Sequence, residues 1–462
     1  MAIAKVALIK TAPERTVQGQ WYRRPGLGLC VLASFLERHG YDCEIIDMSF
    51  FGLTLGDAVE RARRSGAKLF GITAMTHEID RAHELASHIK GRVPGSVAAV
   101  GGPHVTALPF ETLGEFPSFD FGIAGEGEYA LKGLMDCLDG KAALGGIKGL
   151  IYREDGRVVV NGQGDRIPDL DALPFPNWDH YPPVEEYPIF SSRGCPFSCK
   201  FCMRVLGRKV RYRSPENVVD EMEYVVDRYG PRRISFQDET FTVNPERAHA
   251  VMDLIMRRGL HRRVKWDICA RVTDLDEALC RRLKEAGCYK VGVGVESGND
   301  EILRRVGKGI TTAAAARGVE AAKRAGLKTE AYYILGHPDE TEENIRETIR
   351  FAARLNTTTA AFGIMVPYPG TAIYDMAKRG EGGYKVISRS WSDYNKHLGN
   401  AVELEGISRR RLEMLQMSAY LNFYIRNLRI GDLLGYVMEK RAAVCHMLRK
   451  LILNRDYHGA KA

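Results

Sequence analysis

Nowhere in its 462 residues does the chain carry an uninterrupted apolar run of the ~18 residues needed to span a bilayer. Its ten cysteines are too few and too scattered for a disulfide framework. Seven of them (Cys30, Cys43, Cys137, Cys269, Cys280, Cys288 and Cys445) read as ordinary buried thiols. There is no internal repeat and no low-complexity tract. The excess of 66 basic over 58 acidic residues is mild and dispersed, which argues against a nucleic-acid partner. The opening stretch, MAIAKVALIKTAPER, lacks the basic flank, long apolar centre and cleavage site of a signal peptide. It reads as a first strand, and a cytoplasmic location is expected.

What is present is strand-helix alternation, in two series. Residues 1–147 carry strand candidates at 5–10, 43–48, 69–75, 97–102 and 119–125, separated by amphipathic stretches such as LCVLASFLERHG. That alternation predicts an α/β unit with a doubly wound parallel sheet, whose ligand sits at the carboxyl ends of the strands. The glycine-rich loops GGPHVT (101–106) and GEGE (125–128) fall at those ends. A hairpin candidate turning at Asp155-Gly156 and a proline-rich linker follow, over 148–186. A second series, 187–375, places strands at 187–194, 232–239, 264–271, 290–297, 328–336 and 360–368. Six units fall short of the eight of a closed barrel, so a partial (β/α)6 barrel is expected. Residues 376–462 are expected to be helical.

The tenfold count of cysteines hides one cluster. Cys195, Cys199 and Cys202 stand within eight residues, in SSRGCPFSCKFC, directly after the first barrel strand. A structural zinc wants a fourth Cys or His, and none lies between Cys202 and His249. A cysteine-bearing turn without a metal is the plain alternative. A 4Fe–4S cluster held by three thiolates, with one iron left open to chelate a small molecule, is the chemical one. Gly194 and Pro196 suit a loop that wraps such a cluster, and Phe201 is placed to shield one face of it.

The CxxxCxxC spacing with an aromatic residue before the last cysteine, here CPFSCKFC, resembles the signature of the radical S-adenosylmethionine (SAM) superfamily. The whole chain resembles those members that carry a cobalamin-binding-type domain, among them the anaerobic magnesium-protoporphyrin ester cyclases, methyltransferases and the radical SAM dehydratases of aminoglycoside biosynthesis. The resemblance implies that Cys195, Cys199 and Cys202 hold the cluster, that its open iron binds SAM, and that an electron cleaves SAM to a 5'-deoxyadenosyl radical. That radical would take a hydrogen atom from a small-molecule substrate, and a flavodoxin or dedicated dehydrogenase would supply the electron. It implies SAM contacts for Glu296 and Ser297 in GVGVESG, Arg271 in DICAR, and Ile334 and Gly336 in YYILGHPDET. The plain readings are ion pairs for Glu296 and Arg271 and a turn for Gly336. Asp238 and Glu239, in SFQDETF, either orient a polar substrate or cap the next helix. Tyr212 is either a proton donor or a packing residue.

Cobalamin is the open question of the first unit. The resemblance implies a nucleotide-tail site at Gly101, Gly102, His104, Gly125 and Glu126, yet the chain has no Asp-x-His-x-x-Gly motif, and His77 and His104 stand in other contexts. Trp21, Tyr22, Arg23 and Arg24 replace the small residues usual in relatives, and either fill the space of a corrin ring or grip its amides or an anionic substrate. With cobalamin, the expected reaction is methylation of an unactivated carbon; without it, radical dehydration or rearrangement of a sugar. A tRNA methylthiotransferase would carry a second cysteine trio, which is absent. Arg426, Arg429, Lys440, Arg441, Arg449, Lys450 and Arg455 lie among apolar residues at the end of the chain. They read either as the solvated face of a barrel cap or as a membrane-surface helix.

Overall fold

The computed structural model describes residues 5–12, 24–395 and 400–439. Trp21, Tyr22 and Arg23, Cys445 and the basic residues from Lys440 to Arg455 lie outside the described residues.

Five parallel strands form the first sheet: β1 (Lys5–Lys10), β2 (Asp42–Asp47), β3 (Leu69–Thr73), β4 (Val97–Gly101) and β5 (Phe121–Ile123). Their order is β2-β1-β3-β4-β5, so the winding reverses between β1 and β3. Alternation along each strand serves both faces. Val6, Leu8 and Leu69 pack under the helices Leu27–Arg38 and Gly127–Leu138, whereas Ala7, Ile9 and Phe70 meet Leu55–Arg64 and Ile79–Arg92 on the other side. The hairpin β6 (Leu150–Glu154) and β7 (Arg157–Val160) does not stand with the proline-rich segment. It pairs antiparallel to β5 and completes a seven-stranded sheet.

The second sheet begins with β8 (Glu186–Ile189). The expected strand 187–194 is broken there, because Ser192–Arg193 (β9) turns aside to pair antiparallel with Arg211–Tyr212 (β10). The sheet then takes in β11 (Arg233–Phe236), β12 (Lys265–Ala270), β13 (Cys288–Glu296), β14 (Lys328–Leu335) and β15 (Thr359–Ile364), all parallel and in sequential order. Six strands that do not close make the partial barrel. Helix signals are local and clear: Ser214 caps Pro215–Tyr229 through the Asn217 amide, and Gly230 ends it in the left-handed region at φ 58°. Trp266, Tyr333, Phe236 and Phe362 lie buried under the helices, in a core continuous with the first sheet's β2–β1 face. On the concave side Cys269, Lys290, Glu330, Tyr332 and Ile334 are only half-buried, so the inner wall of the barrel is wet.

The C-terminal region, expected to be helical, also contains a small antiparallel pair, β16 (Tyr384–Val386) with β17 (Val402–Leu404), ahead of helices Arg409–Arg426 and Ile430–Glu439. No helix among the described residues is long and apolar enough to cross a membrane.

The two sheets are joined by a buried charge network. Glu126, in the loop after β5, accepts from Arg211 on β10 at 2.9 Å and from the Ile167 amide at 2.7 Å. Arg193 on β9 lies 3.5 Å from Glu126 and 2.7 Å from Glu128. Burial alone would raise the Glu126 carboxyl, but Arg211, the Ile167 amide and Arg193 together hold it below the usual range. Removing one member of a buried pair strands the other, at a cost of about 3–5 kcal/mol. Glu126→Ala is therefore expected to lower stability by that order in a chemical-denaturation curve, whereas Glu60→Ala, on an exposed helix pair screened by solvent, should leave the curve almost where it was.

Candidate active site at the facing edges of the two sheets

The cysteine loop leaves β9 through Gly194, which sits at φ 102°. A Cβ there would lie 2.7 Å from the Lys209 carbonyl oxygen, so glycine is the residue that fits. The Cys195 amide bonds the Gly207 carbonyl at 3.0 Å, closing the loop at its base. Farther round, the Lys200 amide reaches Val306 O at 3.0 Å, and the Cys202 amide folds back on Cys199 O at 3.1 Å. Asp238 holds the chain just ahead of the loop. Its buried carboxylate accepts from the amides of Ser191 (2.6 Å) and Ser192 (2.9 Å) and from the Ser191 hydroxyl. With its oxygens so engaged it neither faces a substrate nor caps a helix, which corrects both readings of the sequence. Glu239, beside it and exposed, accepts from the Gly194 amide at 3.3 Å. Tyr212 is half-buried with the Arg247 guanidinium 5.2 Å over its ring, a packing arrangement.

Around the cysteines stand three charged side chains, two from strand ends and one from a loop. Arg271, after β12, donates to the carbonyls of Lys308 (2.6 Å) and Gly309 (2.7 Å), and its guanidinium stacks 3.9 Å from the centre of Phe197 in the cysteine loop. Glu296 closes β13 at a bulge, with φ 69°, and its Oε1 accepts from Lys308 Nζ at 2.8 Å. Lys308 in turn lies 5.9 Å over the ring of Phe201. Burial pushes the Cys202 thiol up to about 11, helped by its neighbours Cys199 and Cys195. Burial also raises Cys199, against the pull of Lys308 and Arg271. Thiols in this state give up protons when they take metal. The residue types of the sequence did not single out Lys308; its one signal was the GKG at 307–309, whose glycines take φ 68° and 65°.

Other expected contacts fall elsewhere. Ser297 is fully buried, its hydroxyl 3.1 Å from that of Thr348 and accepting from the Asn299 amide, so it is a turn residue. Ile334 is half-buried on the inner wall of β14. Gly336, at φ 90°, has both backbone groups engaged, its amide on Glu340 (2.6 Å) and its carbonyl on Tyr384 (2.9 Å). Next to it His337 is buried against Phe201, with ring centroids 6.1 Å apart, and its Nε2 meets Glu296 O at 3.3 Å. Burial lowers His337 to about 4, so the ring is neutral there.

Across from the barrel rim, at the winding reversal of the first sheet, lies a cavity of about 400 Å³. Leu8, Leu29, Leu32, Ile123 and Leu131 wall it; Gly71, Gly101, Gly102 and Gly125 keep it open; Lys10 and Glu78 are its ionisable lining. Gly28 faces it with nothing within 4 Å of where its Cβ would be. Thus Gly101, Gly102 and Gly125 meet at one site, while two expected partners do not join them. Glu126 is spent on the arginines of the barrel. His104 is buried away from the cavity, edge-on to Trp391 at 4.9 Å, with neither ring nitrogen bonded. Arg24 pairs with Glu186 on β8.

Both edges suit bulky cofactors. Among the described residues no three His, Cys, Asp or Glu side chains are placed to hold a single metal ion. The fold and site define an iron–sulfur enzyme with a second, glycine-lined ligand cavity. The sequence pattern of the radical SAM superfamily matches residues 189–352 and that of the B12 binding domain residues 22–135. The chain belongs to the radical SAM superfamily and carries a B12 binding domain. It is 34% identical, over 412 residues, to an uncharacterized methyltransferase of Pyrococcus horikoshii, covering 87% of this chain and 88% of that one. An anaerobic magnesium-protoporphyrin IX monomethyl ester cyclase of Rubrivivax gelatinosus is 29% identical over 88% of this chain and 75% of its own. Two solved structures share the fold. OxsB, a cobalamin-dependent SAM radical enzyme, aligns at a TM-score of 0.74 and 18% identity over 99% of this chain and 74% of that one. The radical SAM methyltransferase TsrM of Kitasatospora setae aligns at 0.71 and 18% over 92% and 89%.

Glu340 supplies a pH test of the site's scaffold. Burial raises its carboxyl to about 8, against the two amides that bond it. The folded state therefore prefers the protonated acid. This contribution to stability is whole below the ordinary value of 4.5 and is lost as pH rises to about 8. Glu340→Gln keeps an oxygen for both amides and cannot titrate. The stability of the wild type relative to this variant is expected to fall steadily across that window, in paired denaturation curves; a flat difference would refute the assignment.

Proposed function

We propose that the protein is a cobalamin-dependent radical SAM methyltransferase that methylates a small molecule. The observation that carries this reading is the glycine-lined cavity at the winding reversal of the first sheet, whose Gly125 also shares a cleft with Val205, three residues past Cys202. Its apolar walls suit a heteroaromatic base, and its glycines admit a tail close to the backbone. The name of the Pyrococcus relative, and that of the cytidylyl-2-hydroxyethylphosphonate methyltransferase of Streptomyces wedmorensis, 25% identical over 75% of this chain, support it.

In this reading Cys195, Cys199 and Cys202 hold a 4Fe–4S cluster. The bound cofactors supply one-electron cleavage of SAM and a transferable methyl group. The chain's own residues bind, orient and shield. Lys308 and Arg271 place positive charge beside the three thiolates and lower the energy of that anionic site. Phe197 and Phe201 pack those cations against the loop and keep water from it. Glu296, tied on one oxygen by Lys308, has the other to accept from a ribose hydroxyl or an ammonium group. Arg271 suits the methionine carboxylate. An external reductase, such as a flavodoxin, is the electron source this chemistry requires.

Anaerobic reconstitution with iron, sulfide and hydroxocobalamin tests the assignment. The desalted wild type is expected to keep both the cluster absorption and the corrinoid. Cys195→Ala combined with Cys199→Ala and Cys202→Ala should lose the cluster and SAM cleavage while keeping the corrinoid. Gly28→Leu should do the reverse, because its Cβ meets nothing within 4 Å and the rest of the side chain takes up space in the cavity. A wild type that keeps no corrinoid yet releases 5'-deoxyadenosine would overturn methyl transfer in favour of elimination or rearrangement.

A further inference from the structure

The segment that holds the cysteines carries positive charge with no negative residue of its own. Residues 187–215 include seven Lys and Arg and no Asp or Glu. Three of the seven turn inward and find carboxylates elsewhere in the fold: Arg193 on Glu128, Arg211 on Glu126 and Arg213 on Glu221. The other four, Lys200, Arg204, Arg208 and Lys209, pair with no carboxylate among the described residues. Exposed arginines of the helices are paired instead, Arg64 with Glu60, Arg304 with Glu301 and Arg346 with Glu342.

Three of these cations gather at one turn, and a fourth joins them from the linker. Residues 204–207 form the turn, with the Gly207 amide on Arg204 O at 3.0 Å, and Arg208 and Lys209 follow it, exposed. Arg166 lays its guanidinium on Gly207, where a Cβ would lie 1.8 Å from Nη1. It is exposed and likewise without a carboxylate among the described residues; its neighbour Asp165 is taken by Lys148 at 3.0 Å. Arg166, Arg204, Arg208 and Lys209 thus rim the half-buried Val205 and Leu206. An apolar centre with a charged rim is the make-up of a protein-binding surface.

The position of the turn identifies the partner. Its Gly207 carbonyl accepts from the Cys195 amide at 3.0 Å, so the surface stands one hydrogen bond from a cysteine of the trio. Four like charges left together attract an anionic body and orient it before contact. A bilayer would want large apolar side chains to insert, and none in residues 195–210 is exposed. A single-stranded nucleic acid would want free rings to stack on, and those of Phe197 and Phe201 are taken by Arg271 and Lys308. We propose that the turn 204–209, with Arg166, is the docking surface for an acidic one-electron carrier protein; this rests on the cluster assignment made above. One electron leaves the carrier, passes to the bound cluster and is consumed when a sulfonium C–S bond of SAM breaks to methionine and a carbon radical. No proton moves in that step.

The test uses the reconstituted full-length holoprotein and two acidic probes, oxidised flavodoxin and oxidised plant-type ferredoxin, in calorimetric titrations. At least one probe is expected to bind, more weakly as salt is raised. Arg208→Glu with Lys209→Glu should weaken that binding by about tenfold or more, and Arg208→Lys with Lys209→Arg should keep it. The same reversal at Arg63 and Arg64, on a helix of the first sheet, should leave it unchanged. Release of 5'-deoxyadenosine driven by the reduced carrier should fall with binding in the Arg208→Glu, Lys209→Glu variant, while release driven by dithionite stays at the wild-type rate. The proposal is overturned if neither probe binds, if binding ignores the reversal at the turn, or if the control reversal removes it equally. Polyuridylate bound at the turn in place of either carrier would also overturn it. A wild type with neither cluster absorption nor dithionite-driven cleavage would instead sink the cluster assignment, because titration with oxidised carriers reports on the surface alone.

Discussion

Glu126, at the end of a loop of the first sheet, and Glu128, in the first turn of the helix that follows, reach into the second and grip Arg193 and Arg211 on the short ribbon that carries the cysteine loop. Both partners are almost out of water, so neither can be left alone without a large desolvation cost. The glycine-lined cavity opens beside one end of this clasp, and Gly194 begins the cysteine loop at the other. Two cofactor-sized sites on different sheets are thereby held in register by one ionic junction. Asp238 and Arg247 extend it, tying Ser191 and Ser192 from below. Geometry at the cysteines is thus set by residues that stand outside the cysteine loop.

The junction also explains why the two sheets share a core. Alternate residues of β1 face opposite helices, and the face carrying Val6 and Leu8 runs on into the aromatic core under the barrel, whereas the face carrying Ala7 and Ile9 forms a separate cluster. Apolar burial supplies the adhesion, and the ion pairs supply the orientation. At the far side, Trp391 crosses back to lie on His104 and donates to Glu115 at 2.9 Å, binding the C-terminal region to the first sheet. The histidine that looked available for a cofactor is therefore a buried packing residue, lowered to about 4 by loss of water.

The C-terminal helices add a surface of a different kind. Barrel packing uses Phe423 and Leu415 on their inner side, while Leu421 and Ile425 are left to solvent.

Strand positions were legible in the sequence because apolar runs bounded by glycine and proline are local signals; β1, β3, β4 and β14 begin at the residues expected from the sequence. The cysteine spacing was legible for the same reason, as were Glu296 and Arg271 at strand ends. What the chain's order could not display was which side chains meet across the fold. Glu126 stands 85 positions from Arg211, and Lys308 reaches Glu296 only because two left-handed glycines bend the chain between strands. His104 and Ser297 carry suitable functional groups but face inward, since facing is decided by packing rather than by residue type. Sequence alone determined the cysteine spacing, the two strand-helix series and the family. Only the tertiary structure decided which carboxylates are free and which are bound to arginine, because long-range pairing and burial arise when the two sheets close on each other.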